Sequence, residues 1–427
     1  MRDGDEGQGA ETPSEPQPDL NRKRVLLYAA ASLGTGVFYS FNNFVLPPVL
    51  KTFGAPDLLV GLLASTRSVE GAVIQPTIGA LSDRIWTPFG RRRPFMLVAI
   101  PLSAAFLIAS AYAGSLVTLA VMIFCFSIFF NVAVDPYTAL LADITPLHQR
   151  GWLSGVATAV QMLSSVVFLA VIAVVTVGDV VPAWTYAAVG VLLVVSFGVT
   201  IVGVPEHRDA RAVVEHQPLR SYLDAVLQQR QAVRYLGTLF VYQFGLNAIL
   251  PYLVLFVVDV IQQSEQIAFA LSAGLLVVTA SGAIGFGRLA DRIGTRPVLA
   301  IGWGMLALSA LAGCVITTLP QLVVVVVLAG AGNGAATAVA WPLLTALIPE
   351  EKTGIFAGLK AAADSIAVPL SVVVAAEVFL PTLGYRGIFA MLAVSIIAAL
   401  VLLLRFVRVP PRAEPLAQSD VPVLSAG

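Results

Sequence analysis

The sequence predicts an all-α membrane protein of twelve transmembrane helices, arranged as two pseudo-symmetric six-helix bundles. Three observations predict it. With 58% hydrophobic and 12% charged residues and a mean hydropathy of +0.87, the chain is far more apolar than a water-soluble domain. It also breaks into apolar runs of about 20 residues, the length that crosses a hydrocarbon core of about 30 Å. Finally, the loop Gly79-Ala-Leu-Ser-Asp83-Arg84-Ile-Trp-Thr-Pro-Phe-Gly90-Arg91-Arg92-Arg93-Pro94 recurs in the second half as Gly287-Arg-Leu-Ala-Asp291-Arg292-Ile-Gly294-Thr-Arg296-Pro297. The same basic hairpin between the second and third runs of each half marks an internal duplication.

In chain order, residues 1–24 are polar and Pro-rich to about Leu20. That is the wrong order for a cleaved signal peptide, so a disordered cytoplasmic tail is expected. The first bundle, 25–204, holds runs at 25–50, 57–82, 94–113, 116–142, 151–177 and 183–204. A charged linker, 205–233, leads to the second bundle, 234–408, with runs at 234–259, 267–290, 297–317, 321–348, 354–380 and 385–407, and a tail, 409–427, follows. Unpaired backbone is too costly in lipid for anything but helices or closed barrels, and these runs are too long for barrel strands. Proline removes a backbone donor and crowds the turn before it, so kinks are expected at Pro47-Pro48, Pro76, Pro136, Pro342 and Pro369.

The duplication reaches further than the hairpins. Thr138-Ala139-Leu140, shortly after Pro136, is matched by Thr345-Ala346-Leu347 after Pro342, and Gly151-Trp-Leu-Ser-Gly155 by Gly354-Ile-Phe-Ala-Gly358. The paired glycines have the spacing that lets helix backbones approach closely in lipid. Their register makes Gln161 the counterpart of Asp364.

Basic residues fix the expected orientation. Arg22 to Arg24, Arg91 to Arg93, Arg150, Arg208, Arg230, Arg288, Arg292, Lys352 and Arg405 fall on one set of alternating loops, and little beyond Lys51 and Arg386 falls on the other. Both termini are therefore expected in the cytoplasm of a multi-pass protein of the cell membrane, inner or plasma. His148, His207 and His216 all lie on that side, so none offers an intramembrane proton relay. Cys125 and Cys314 lie within apolar runs and read as small buried hydrophobes. No cofactor, metal or nucleic-acid partner is expected, and one chain is expected to act as a monomer amid membrane lipid.

Charges inside the runs are the sharper clue. Arg67 and Glu70 share a face of the second predicted helix, Lys360 and Asp364 share a face of the eleventh, and Asp135 stands on the fourth. Ionisable groups there face a partner, the bundle interior or a watery path. One possibility is local ion pairing within each helix. The other is a network across helices two and eleven, with Arg67 to Asp364 or Glu70 to Lys360 as bridges. At about 1.5 Å per residue, all four lie about 11–24 Å in from the cytoplasmic markers. Asp135, Glu70 and Asp364 are the candidate proton-binding groups.

Gly79, Asp83, Arg84, Gly90 and Arg91 on one hairpin, with Asp291, Arg292 and Gly294 on the other, form a candidate cytoplasmic gate. Their arginines neutralise the aspartates, and neighbouring helix N-termini favour a carboxylate. The competing account is that these arginines only enforce topology.

Twelve helices, an internal duplication and a Gly-x-x-x-Asp-Arg-x-Gly-Arg-type hairpin in each half resemble the major facilitator superfamily across nearly the whole chain. Gln75-Pro-Thr-Ile-Gly79-Ala-Leu-Ser-Asp83-Arg84, Gly90-Arg91-Arg92-Arg93-Pro94-Phe95 and Pro136-Tyr-Thr-Ala-Leu-Leu-Ala-Asp143 resemble, more narrowly, its sucrose-transporter and glycoside–pentoside–hexuronide cation symporter branch. Where sucrose transporters carry an intramembrane Asp and an Arg near that last motif, this chain has Ser127 and Thr138. Asp135 falls close to a helix-four aspartate of melibiose-type permeases.

The resemblance implies that helices one, four, seven and ten line a central path. On those helices stand Tyr39, Asn42, Asn43, Asn131, Tyr242, Gln243, Asn247, Asn333 and Trp341. Amides exchange hydrogen bonds with hydroxyls and aromatic faces stack on sugar rings, although polar residues also glue membrane helices together. The expected function is secondary active transport of a small polar solute, a sugar or glycoside, coupled to a proton, with sodium as the other candidate cation. No enzyme activity is expected. A proton-coupled exporter of drugs or metabolites is the first alternative, though residues 151–177 lack the Gly-Pro dipeptide many such exporters carry. A non-transporting sensor or structural membrane protein of the same fold is the second.

Overall fold

The computed structural model describes residues 21–65, 74, 77–78, 81–82, 86–146, 149–176, 181–206, 228–349 and 353–408. These residues are almost wholly helical, and eleven of the helices are long and apolar enough to cross a membrane. The chain forms two compact units, Met1–Val213 with Ser264–Ala273, and Val214–Gln263 with Gly274–Gly427.

In the first unit α1 runs from Arg22 to Thr52, started by Asn21, whose side chain accepts from the Lys23 N–H. Of the second predicted helix, α2 is described over Asp57–Ala64. Then come α3 (Arg93–Ser110), α4 (Leu116–Ile144), α5 (Arg150–Val175) and α6 (Ala183–Gly203). Ser115 caps α4 by accepting from the Thr118 N–H. In the second unit α7 spans Arg230–Asp259, followed by α9 (Thr295–Gly313), α10 (Leu319–Thr345), α11 (from Thr353, ending at Leu383) and α12 (Arg386–Phe406). Helix α8, Glu265–Ile293, contributes its first residues to the first unit and the rest to the second.

The duplication is visible in the packing. In the first unit α1 packs on α5 and α6, and α3 on α4 and α6; in the second, α7 packs on α11 and α12, and α9 on α10 and α12. Individual contacts repeat as well. Ser103 donates to the Phe126 carbonyl at 3.0 Å and Ser309 to the Val325 carbonyl at 3.0 Å. Tyr28 donates to the Tyr137 carbonyl and Tyr235 to that of Ala340. A Cβ on Gly34 would collide with Ser196, and one on Gly245 with Ser395, so a bare backbone lets α1 meet α6 and α7 meet α12. Among the described residues, nothing lies within 4 Å of where a Cβ would sit on Gly151, Gly155 or Gly358.

Prolines shape α1 and α11. Each widens into a π turn, Phe41–Val45 and Ala375–Phe379, just before Pro47-Pro48 and Pro381. A proline clashes with the carbonyl four residues back, which for Pro47 and Pro381 is Asn43 and Glu377, inside those turns; the wider turn moves that carbonyl aside. Pro136, Pro342 and Pro369 lie within helices that run on through them. Pro76 lies outside the described residues.

Candidate functional site

At the end of the first unit where the basic hairpin lies, the chain builds a carboxylate seat. Thr87 and Gly90 exchange backbone hydrogen bonds at 3.0 Å, and Gly90 takes φ +105°, open to glycine at little cost. This aims the next N–H groups, at the start of α3, at Glu206. Its carboxylate accepts from the backbone of Arg91 at 2.8 Å, Arg92 at 3.1 Å and Arg93 at 2.9 Å. A Cβ on Gly90 would press on Glu206 at 2.7 Å. A helix N-terminus has unpaired donors and partial positive charge, so a carboxylate there is doubly favoured. Asp143, at the end of α4, accepts from Arg91 Nε at 3.3 Å and Arg92 Nε at 3.1 Å, and Arg92 also reaches Ser82.

Of the candidate gate residues, Gly90 and Arg91 belong to this cluster, whereas Gly79, Asp83 and Arg84 lie outside the described residues. In the second unit Asp291 and Arg292 are exposed, and Gly294, at φ +92°, ends α8 and precedes α9. Glu206 and Asp143 were not singled out from sequence. Asp143 stood at the end of the quoted Pro136 motif; Glu206 was counted among the linker charges.

Deeper in the first unit, Phe38 stacks on Phe130 with ring centroids 3.4 Å apart, and Tyr39 meets the same ring edge-on at 6.1 Å. Tyr39 and Asn131 are thereby brought to one level of α1 and α4. Asn131 is buried and donates to the Ser127 carbonyl at 3.0 Å. Asn42, in the π turn, is wholly buried, with neither amide atom bonded among the described residues. Asn43 is half-buried, as is Asp135, whose Oδ2 atom is covered.

The second unit holds the counterpart. Tyr242 donates to Asn333 Oδ1 at 2.8 Å and lies against Trp303. Asn247 donates to the Gln243 carbonyl at 2.8 Å, as Asn131 does to Ser127. Lys360 Nζ meets Asp364 at 2.7 Å, with Asp364 only 5% exposed. Trp341 is exposed. Arg67 and Glu70 lie outside the described residues, so of the proposed charge network only the Lys360–Asp364 pair is seen. Trp303 was missed from sequence, where a lone aromatic in an apolar run carries no signal.

The family model described as Major Facilitator Superfamily matches residues 27–286 and 235–425. Curated relatives match only locally. The human protein named Proton-associated sugar transporter A is 36% identical over 81 residues, 19% of this chain and 11% of that protein. Sucrose transport protein SUC4 of Arabidopsis thaliana is 25% identical over 153 residues, 32% of this chain and 30% of that protein. The chain thus aligns with about a tenth to a third of the length of these relatives. Among solved structures, a D-xylose-proton symporter superposes with a TM-score of 0.72 at 17% identity, covering 90% of this chain and 98% of that one. The nucleoside transporter NupG gives 0.71 at 11% identity, covering 91% and 100%. At such identities the likeness is one of fold.

Proposed function

Since the chain belongs to the major facilitator superfamily, a family of multi-pass secondary transporters, we propose that it carries a sugar or glycoside with a proton across the cell membrane by alternating access of its two halves. The observation that carries this is the pairing of aromatic rings with amides in each unit: Tyr39 and Phe130 at the level of the buried Asn131, and Tyr242 bonded to the half-buried Asn333. Ring faces suit the apolar faces of a sugar, and amides suit its hydroxyls. The names of the partial relatives, a proton-associated sugar transporter and a sucrose transport protein, point the same way. Asn42, Asn43, Gln243, Asn247 and Trp341 complete the proposed lining. Asp135, Glu70 and Asp364 are the proposed proton carriers. The two hairpins form the proposed cytoplasmic gate, with both termini on that side.

Counterflow of radiolabelled sucrose and other sugars in proteoliposomes, with and without a pH gradient, tests the proposal. Uptake driven by the gradient is expected. Asp135→Asn should abolish accumulation while sparing exchange. Sugars that never exchange, together with gradient-driven movement of a lipophilic cation, would replace sugar uptake by drug export.

A further inference from the structure

Helix α1 carries a gap in its backbone hydrogen bonding that the sequence forces. A helical carbonyl accepts from the N–H four residues on, or five in a π turn. For Asn43 those residues are Pro47 and Pro48, and neither has an N–H. For Asn42 they are Leu46, whose N–H goes to the Phe41 carbonyl, and again Pro47. Two consecutive carbonyls are thus left without a helical backbone donor. The Asn42 side chain belongs to the same turn, is 0% exposed, and has neither amide atom bonded among the described residues. The Asn42 carbonyl, the Asn43 carbonyl and Asn42 Oδ1 are therefore three oxygens of two adjacent residues, close to one another by covalent geometry and short of donors. On α4, Phe126 meets Phe41 edge-on at 6.2 Å. Ser127, the next residue, is also buried with its hydroxyl unbonded among the described residues.

Two other helices interrupted near a proline do not reproduce this gap. Helix α7 repeats the motif, Asn247-Ala-Ile-Leu-Pro251 against Asn43-Phe-Val-Leu-Pro47. There, however, Tyr252 follows the proline and keeps an N–H five residues after Asn247, the chain tightens into a 3-10 turn, and the Asn247 amide donates to the Gln243 carbonyl. In α11 Pro381 also stands alone, so Thr382 keeps an N–H five residues after Glu377, and the π turn holds no amide side chain. Pro48 and Asn42 are what α1 adds. A gap with more acceptors than donors suits a cation. One water has two hydrogens and cannot serve three oxygens, whereas an ion draws on all of them. Unpaired helical carbonyls carry partial negative charge, and such carbonyls replace the hydration shell of monovalent cations in membrane proteins. None of the three oxygens is a carboxylate, which disfavours a divalent ion. The Asn42 Nδ2 donor is left to hold a water that completes the shell.

We infer that the π turn of α1 is a binding site for an alkali-metal cation, held by the carbonyls of Asn42 and Asn43 and by Asn42 Oδ1. The site goes beyond the sugar and proton reading. It uses none of the proposed proton carriers, and it leaves the half-buried Asn43 amide for solute.

Thermal unfolding of the purified full chain in lipid nanodiscs, with no solute present, tests the site. Replacing choline chloride by sodium or potassium chloride at equal concentration should raise the midpoint by about 1–3 °C for the favoured ion, as for a ligand at about ten times its dissociation constant. Asn42→Leu removes one of the oxygens, and Pro47→Ala gives the Asn43 carbonyl an N–H to accept from; each should abolish the shift. Pro251→Ala, at the matching place in α7, should leave it intact. Equal midpoints in all three salts would overturn the inference and assign the gap to water. A shift that survives both Asn42→Leu and Pro47→Ala would overturn it by placing the ion elsewhere.

A second measurement reads binding directly. Radiolabelled sodium bound to the wild-type chain should be displaced by unlabelled sodium or potassium and not by choline, and Pro47→Ala should weaken it by about tenfold. Absence of displaceable binding overturns the inference even if Asn42→Leu fails to fold. Neither measurement contains a sugar, so a protein that binds the ion and carries no sugar counts against the sugar proposal alone.

Discussion

Glu206 shows what a single residue does here that its letter does not announce. Three successive backbone donors share its carboxylate, so it is both the cap of α3 and the tie between that helix and the end of α6. Glu206→Ala should cost about 1–3 kcal/mol through the stranded N–H groups. Gly90→Ala, which strains the turn and crowds the carboxylate, should cost a similar amount, and the two together less than their sum because they break one feature. Unfolding of the purified variants checks all three. A second residue-scale prediction concerns charge. Lys360→Met removes the counterion 2.7 Å from the buried Asp364, a loss of up to about 3–5 kcal/mol, whereas Lys360→Met with Asp364→Asn should recover much of the stability. The hairpin glycine and the charged pair of α11 were legible in sequence, the first from its recurrence and the second from its spacing. Glu206 was not, because its partners are backbone groups more than a hundred positions away, and backbone donors have no residue type to recognise.

Among helices, the contacts that matter are those where side chains are missing. Gly34 and Gly245 each face a serine across a helix crossing. Gly34→Val and Gly245→Val should therefore push α1 from α6 and α7 from α12, at about 1–3 kcal/mol for overpacking. Gly151→Val, with nothing within 4 Å of its Cβ position among the described residues, should fall within about 0.5 kcal/mol of wild type. Melting temperatures of the three variants make the comparison. The sequence contains 35 glycines, and spacing alone directed attention to Gly151 and Gly155 rather than to glycines such as Gly34 and Gly245 that meet a neighbouring helix. The prolines tell a similar story. A disturbance before Pro47-Pro48 was expected and is present, yet its twin before Pro381 was overlooked because a lone proline near a helix end resembles an ordinary terminus.

For the molecule as a whole, the two units share their helix pairings and the serines and tyrosines at the crossings, whereas the Lys360–Asp364 ion pair is described in the second unit. Twelve helices, eleven of them long and apolar enough to span a membrane, and their duplication were legible because apolar length and a repeated hairpin are one-dimensional signals, whereas the pairing of helices depends on which faces meet. Orientation is the prediction that belongs at this scale. With the basic residues gathered on one set of loops, reporters that are active only outside the cell should be silent when fused to either terminus and active after Lys51 or Cys314; activity at the termini would overturn the expected sidedness. The shared pairings also bear on how such a chain can change. Serines and glycines at the crossings hold each unit together, while Asn43, Gln243, Asn247 and Asn333 are only half-buried. A deep mutational scan should therefore separate into two populations, one where substitutions reduce the amount of protein that reaches the membrane and another where abundance is untouched and only the choice of cargo shifts.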